Sequence, residues 1–266
     1  MKEIYYHVGL GKTASTYLAE KVFPHFQNTV FSRHPREKHY ETMEKASDGK
    51  FFVSHEFDRQ LIPMVEMFSK RFPNAKPIIV LRIHDAWLAS QYKRFVKNGF
   101  SISFKQFIDL ENDTGYWKMK DALFFPMLQK LESAFQTKPL VLFHDDLKTD
   151  AYGFIDSIAT FCDVTYDRNK ISTKPFHSAY STRQLKMMRR YGWNRLESEN
   201  QFSDNKIIQW FQKRTQLLRS YSLMAIANFL PEKWIDPKPL ITTEELEKVG
   251  KKFEHDWKQC LEFAGR

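Results

Sequence analysis

Three short apolar runs, rich in β-branched and aromatic residues, mark the first half of the chain: IYYHVGL at 4–10, PIIVLRI at 77–83 and PLVLFHD at 139–145. Continuous runs of this length predict strands buried on both faces. A weaker run, FFVSHEF at 51–57, predicts a fourth strand. Between them, apolar residues recur at three- and four-residue spacing in TASTYLAEKVF, LIPMVEMFSKRF, AWLASQYKRFVKNG and AYGFIDSIATFC, which predicts amphipathic helices. Strand and helix alternate, so the pattern predicts an α/β fold with a parallel β-sheet flanked by helices on both faces.

Beyond residue 175 only the helical period continues, in STRQLKMMRRYGWNRL, DNKIIQWFQKRTQLLRSYSLMAIANFL and TTEELEKVGKKFEHDWKQCLEF. Thr242 to Glu245 read as a capped helix start. No repeat or low-complexity linker interrupts the chain, so we expect a single domain over 1–266, with an α/β core at 4–165 and a C-terminal helical cover at 175–266. Segments 33–50 and 97–120 mix charge with aromatics at weak periodicity, which predicts loops that shape a substrate site.

Composition narrows the partners. Lys and Arg number 41 against 32 Asp and Glu, a net charge of +9. That balance suits anionic ligands, from nucleotides and acidic glycans to nucleic acid or membrane surfaces, and equally a well-solvated basic surface. Only two cysteines occur, Cys162 and Cys260, too few for a disulfide framework or a zinc site, which fits a reducing compartment. The start MKEIYYHVGLGK has no long apolar core, and no later run is long enough to span a bilayer without charge. The expectation is a soluble, cytoplasmic protein.

The chemistry concentrates in GLGKTASTYL, Gly9 to Leu18, between the first predicted strand and a predicted helix. A strand-to-helix turn aims backbone N–H groups and the positive helix end at one point, which suits an anion. Lys12 adds a charge, and Thr13, Ser15 and Thr16 add hydroxyls. A Walker A loop needs G-x-x-x-x-G-K-[ST]. Gly11, Lys12 and Thr13 supply its end, but Tyr6 stands where its first glycine belongs. The segment is therefore either a phosphate loop of another kind or a structural turn with an exposed lysine. Arg82 ends a predicted strand and Ser90 follows eight residues later, with Tyr92 and Arg94 beyond. An arginine there can fork onto a phosphate or pair with a carboxylate such as Asp85.

Together these segments resemble the sulfotransferases that use 3′-phosphoadenosine 5′-phosphosulfate (PAPS), especially the bacterial and carbohydrate-type members. HVGLGKTASTYL is similar to that family's 5′-phosphosulfate loop, and VLRIHDAWLASQY to its 3′-phosphate motif. PLVLFHDDLKTDAYGFIDSIATFCDV is similar to its late strand, acidic-Leu turn and closing helix, so the likeness spans 4–165. The resemblance implies a P-loop-like nucleotide-binding fold. It gives Lys12 the leaving oxygen, Gly11, Thr13, Ala14, Ser15 and Thr16 the 5′-phosphosulfate, and Arg82 and Ser90 the 3′-phosphate.

Two departures stand out. Ala14 occupies a place where many relatives carry glycine, and the glycine-rich third motif of the cytosolic enzymes is missing. Its role then passes to KPFHSAYSTRQLKMMRR at 174–190, with Lys174, Ser178, Ser181 and Arg183 as candidate contacts, unless that stretch is only a solvated basic helix face.

An acceptor hydroxyl must lose a proton, and Glu56 is the first choice for the base, by likeness to carbohydrate-type relatives, with His55 second. The bland alternatives are that Glu56 pairs with Lys12 or Arg59 and that His55 caps a helix. His7, inside the first predicted strand, reads as a packed core histidine. His84, His144 and His177 have no recognisable ligand spacing. The resemblance implies that no metal is needed and makes Asp146 a turn acid. No G-x-S-x-G elbow supports a hydrolase.

The expected activity is transfer of a sulfuryl group from PAPS to a hydroxyl of a carbohydrate or glycoconjugate, with Arg33, Arg36, Lys93 and Arg94 as candidates to meet acidic groups of the acceptor, and with a small alcohol, phenol or lipid as the alternative acceptor. Neither nucleic acid nor stable membrane insertion is expected. The rivals are a magnesium-dependent P-loop nucleoside or small-molecule kinase and a non-enzymatic module that binds acidic glycans or nucleic acid.

Overall fold

A computed structural model describes residues 1–173, 180–192 and 203–266. The chain divides into two compact units, one made of Met1–His84, Leu123–Phe176 and Phe253–Arg266, the other of Asp85–Ala122 and His177–Lys252. The expected helical cover at 175–266 thus has different bounds. Residues 85–122 group with the later helices, and the last fourteen residues group with the sheet.

The first unit is built on five parallel strands, β1 (Lys2–Leu10), β2 (Thr29–Arg33), β3 (Gly49–Phe57), β4 (Lys76–Leu81) and β5 (Leu140–Phe143), in the order β2-β3-β1-β4-β5. The segment expected to be the weakest strand is β3, which pairs with β1 along nine residues, from Lys2 opposite Gly49 to Leu10 opposite Phe57. From Ile4 onward every residue of β1 is buried, which explains why its sequence shows no polar alternation. The third apolar run ends early: β5 stops at Phe143, and His144 to Thr149 form a short helix.

Helices cover both faces of this sheet. On one face Tyr5, Phe52, Ile78 and Val80 pack with Leu18, Val22 and Phe23 from the segment after β1, and with Phe154, Ile155 and Ile158 of the helix Ala151–Phe161. On the other, Tyr6 stacks on Phe68 of the helix Leu61–Arg71 at 3.9 Å between centroids, and Phe135 of the helix Phe125–Phe135 meets its edge at 5.9 Å. Adjacent tyrosines point to opposite faces because side chains alternate along a strand.

A buried carboxylate ties the C-terminal helix to this unit. Asp256 accepts from the backbone N–H groups of Phe124 and Phe125 at 2.8 and 3.1 Å, capping the helix Phe125–Phe135 from a distant part of the chain. His84 Nε2 lies 3.0 Å from the same carboxylate, and its ring stacks on Phe124 and Phe253.

In the second unit the segment 97–120, expected as a substrate-shaping loop, contributes a set of buried aromatics. Phe100, Phe104, Phe107 and Trp117 are buried, and Trp117 meets the edge of Trp87 at 5.5 Å. Short turns fold these aromatics inward, so they form a core without a helical period. Segment 33–50 also contains regular structure, the helix Glu37–Lys45. In the second unit the helix Thr182–Tyr191 packs on the helix Lys206–Ala227. Its cations are held within the unit: Lys186 donates to the Asp236 carbonyl and pairs with Glu232, Arg189 pairs with Asp236, and Arg190 donates to the Ile235 carbonyl.

Asp256→Ala should lower unfolding free energy by about 2–4 kcal/mol, because two buried N–H groups lose their acceptor. Denaturant midpoints check this, with Asp256→Asn losing less because its amide oxygen still caps.

Candidate functional site

Two hydroxyls shape the loop after β1. Thr13 Oγ1 and Ser15 Oγ each donate to the Leu10 carbonyl at 2.8 Å, and both residues are buried. The chain reverses tightly over the end of its own strand, with Lys12 and Ala14 held at φ 71° and 70°. Helix begins only at Ser15, not at Thr13 as the apolar spacing predicts, because Ala14 adopts the left-handed conformation (ψ 12°). A left-handed residue followed by a right-handed one turns successive N–H groups toward one side and makes a concave anion site. Gly9 makes room for this packing. A Cβ there would lie 2.7 Å from Ser15 Oγ and 2.8 Å from the His55 carbonyl.

The hydroxyls of Thr13 and Ser15 therefore serve the loop itself, while Lys12 is exposed and Thr16 is half-buried. The flanking strands deliver one charged residue to each side. From β3, Glu56 stands opposite Gly9, and its Oε2 accepts from Thr16 Oγ1 at 3.3 Å. From the end of β4, Arg82 Nη1 donates to the Lys12 carbonyl at 3.4 Å. The chain leaves β1 toward β2 but leaves β4 toward β5, so these neighbouring strand ends diverge, the place where open α/β sheets form a ligand crevice.

The two candidate bases are separated by strand parity. Glu56 lies on the loop side, whereas His55 points to the opposite face, its ring near Tyr6 at 6.1 Å and Phe57 at 5.2 Å. His55 is packed in the strand and caps no helix. Burial, with the nearby His34, lowers its pKa to about 4. His7 is the core histidine its position predicts: it is fully buried, its Nδ1 lies 2.9 Å from Ser54 Oγ, and burial lowers its pKa to about 3.

Arg82 has a neighbourhood the sequence did not reveal. Burial and the Arg82 charge, with Lys148, lower the pKa of His144 to about 4. Asp145 is lowered mainly by Lys148, 2.7 Å away, with Arg82 contributing. The end of β5 thus reaches Arg82 electrostatically, whereas Asp85 accepts from the N–H of Ala86.

Of the remaining candidates, most belong to the second unit or lie outside the described residues. Ser90 sits on the helix His84–Lys97, and Arg183 donates to the Asn228 carbonyl at 3.3 Å. Ser181 is the N-cap of its helix, bonded to the Gln184 N–H. Lys174 and Ser178 fall outside the described residues. Arg33, expected to meet an acidic acceptor, pairs with Glu20. Among the described residues no cluster of His, Cys, Asp and Glu has metal-binding geometry, and no helix is long and apolar enough to cross a membrane.

The sequence matches no family model and no curated protein. Its architecture does match a solved one: the crystal structure of a sulfotransferase from Alicyclobacillus acidocaldarius superposes with a TM-score of 0.52 over 71% of this chain and 92% of that one, at 14% identity. The fold resembles that of a sulfotransferase. A mouse sulfotransferase, SULT7A1, solved with PAP, gives a TM-score of 0.43 over 86% of this chain and 89% of its own, at 12% identity.

Two outcomes test the geometry. Ala14→Gly should stabilise the fold by roughly 0.5–1 kcal/mol, because glycine tolerates the left-handed conformation, and thermal melting reads this directly. His7, His55 and His144 are held neutral when folded but titrate near 6.5 when unfolded. Between pH 6.5 and about 4 the unfolded chain therefore binds more protons, so stability should fall steadily as pH drops through that window, as urea midpoints will show.

Proposed function

We propose that the protein is a sulfotransferase that moves a sulfuryl group from PAPS to an acceptor hydroxyl, with a carbohydrate or glycoconjugate as the acceptor class. The observation that carries this reading is the meeting of three strand ends: the Lys12 loop after β1, with Arg82 from β4 bonded to its backbone and Glu56 from β3 bonded to its Thr16. The sulfotransferase-like fold and the two motifs support it.

The left-handed turn at Ala14 and the cation at Lys12 fit a group with an anionic 5′ end. Arg82, with a planar fork of donors, suits a second phosphate beside the first. Ser90 is assigned to the same phosphate on the motif alone. The donor, when bound, supplies the sulfuryl group and a bisphosphate leaving group. Lys12 stabilises the negative charge that grows on the leaving oxygen, while loop N–H groups hold the sulfonate in line. Glu56 takes the proton from the acceptor hydroxyl, a role its position beside Thr16 favours over His55 on the other face.

Calorimetric titration of adenosine 3′,5′-bisphosphate, run beside ATP with Mg²⁺, tests the donor site. The bisphosphate should bind without metal, and Arg82→Ala should weaken it by about 10–100-fold, the worth of charge-assisted hydrogen bonds. Preference for ATP with Mg²⁺ would instead identify a kinase. Glu56→Gln should leave bisphosphate affinity unchanged and lower kcat by about 10²–10⁴-fold with an accepted sugar, as loss of a general base does.

A further inference from the structure

The helix Lys206–Ala227 is turned inside out for a globular unit. Its half-buried stripe is polar over the first four turns, with Gln209, Gln212, Gln216 and Ser220 at three- and four-residue spacing, before Leu223, Met224 and Ala227 take over. The opposite face is apolar and exposed. Ile207 is 69%, Phe211 58% and Leu218 66% accessible, with Trp210 and Tyr221 beside them. Just past the helix, Phe229 is 87% accessible. A contiguous outward face of this kind marks an interaction surface.

Charge selects the occupant. The helix carries Lys206, Lys213, Arg214 and Arg219 and no acidic residue. Arg214 lies over the Trp210 ring at 5.3 Å, within the apolar face. A second copy docked face to face would bring the Arg214 guanidiniums of the two apolar faces toward each other, at an overall net charge of +9. An anionic lipid surface meets both features at once: aromatic and aliphatic side chains enter the headgroup boundary while Lys and Arg meet the lipid charges. The helix is not apolar enough to span a bilayer, which leaves it lying on the surface.

We propose that the outward face of Lys206–Ala227 docks the protein on anionic membranes. This docking is independent of the donor site. It is tested by flotation of the full chain with phosphatidylcholine vesicles, with and without about 30% phosphatidylserine, at low and high salt.

The expected result is recovery with the anionic vesicles, at least about tenfold less with neutral ones, and weakening in salt. Trp210→Glu combined with Leu218→Glu should cut recovery about tenfold or more by placing charge on the face that enters the lipid. These side chains are exposed, so circular dichroism and bisphosphate binding should stay as in wild type. Arg214→Glu provides a second variant, with recovery falling chiefly at low salt.

Failure to float with anionic vesicles overturns the proposal, as does recovery that the Trp210/Leu218 double variant leaves intact. A dimer in sedimentation that this variant dissociates, without vesicle binding, overturns it in favour of self-association.

Discussion

One carbonyl organises the candidate site. By accepting from both Thr13 and Ser15, the Leu10 oxygen pulls the loop down over the end of β1 and forces the chain through two left-handed residues. Such conformations cost energy in non-glycine residues and persist where the surroundings over-determine them. Here the surroundings are the buried hydroxyls, the bare Cα of Gly9 beneath Ser15 and the Arg82 guanidinium on the Lys12 carbonyl. The same constraint divides the work among neighbouring residues. Thr13 and Ser15 hold the loop from within, while Lys12 and Thr16 face outward.

The rigidity of this arrangement comes from the sheet below it. β1 is the central strand, paired on both sides and buried on both faces, so the loop emerges from a densely packed part of the first unit. Aromatic contacts bind the layers together, with Tyr6 on Phe68 at one face and Phe23 against Phe52 at the other. Aromatic residues make up 15% of the chain, and among the described residues they are in large part core, in both units.

What was legible in the sequence follows from burial. β1 and β4 announced themselves as unbroken apolar runs because both their faces are covered. β2 escaped notice because TVFSR is short, lies at the sheet edge and leaves Val30 exposed. The late helix start is set by Ala14, whose left-handed backbone no propensity or period would signal, because the cause lies in hydrogen bonds to a residue earlier in the chain. Lys12, Glu56 and Arg82 were legible as strand-end residues, whereas the pairing of Arg82 with the Lys12 carbonyl depended on sheet order. The partners of the basic residues at 186–190 were hidden for a related reason. Lys186, Arg189 and Arg190 look like a solvated cationic face until the turn at 235–236 supplies their partners.

The nine-residue register between β1 and β3 fixes which functional group the loop encounters. Along β3, carboxylate and imidazole occupy consecutive positions and project in opposite directions, so the side chain delivered to Thr16 depends on the parity of the pairing. Deleting one residue early in β3, with the pairing at its start retained, would turn the sequence over beyond that point. Phe57 would take the place of Glu56 opposite Gly9, the imidazole of His55 would take the place of Ser54 opposite His7, and the carboxylate would move into the apolar packing against Tyr6. The length of this strand is therefore part of the site's chemistry, inherited with the sheet and not adjustable one residue at a time.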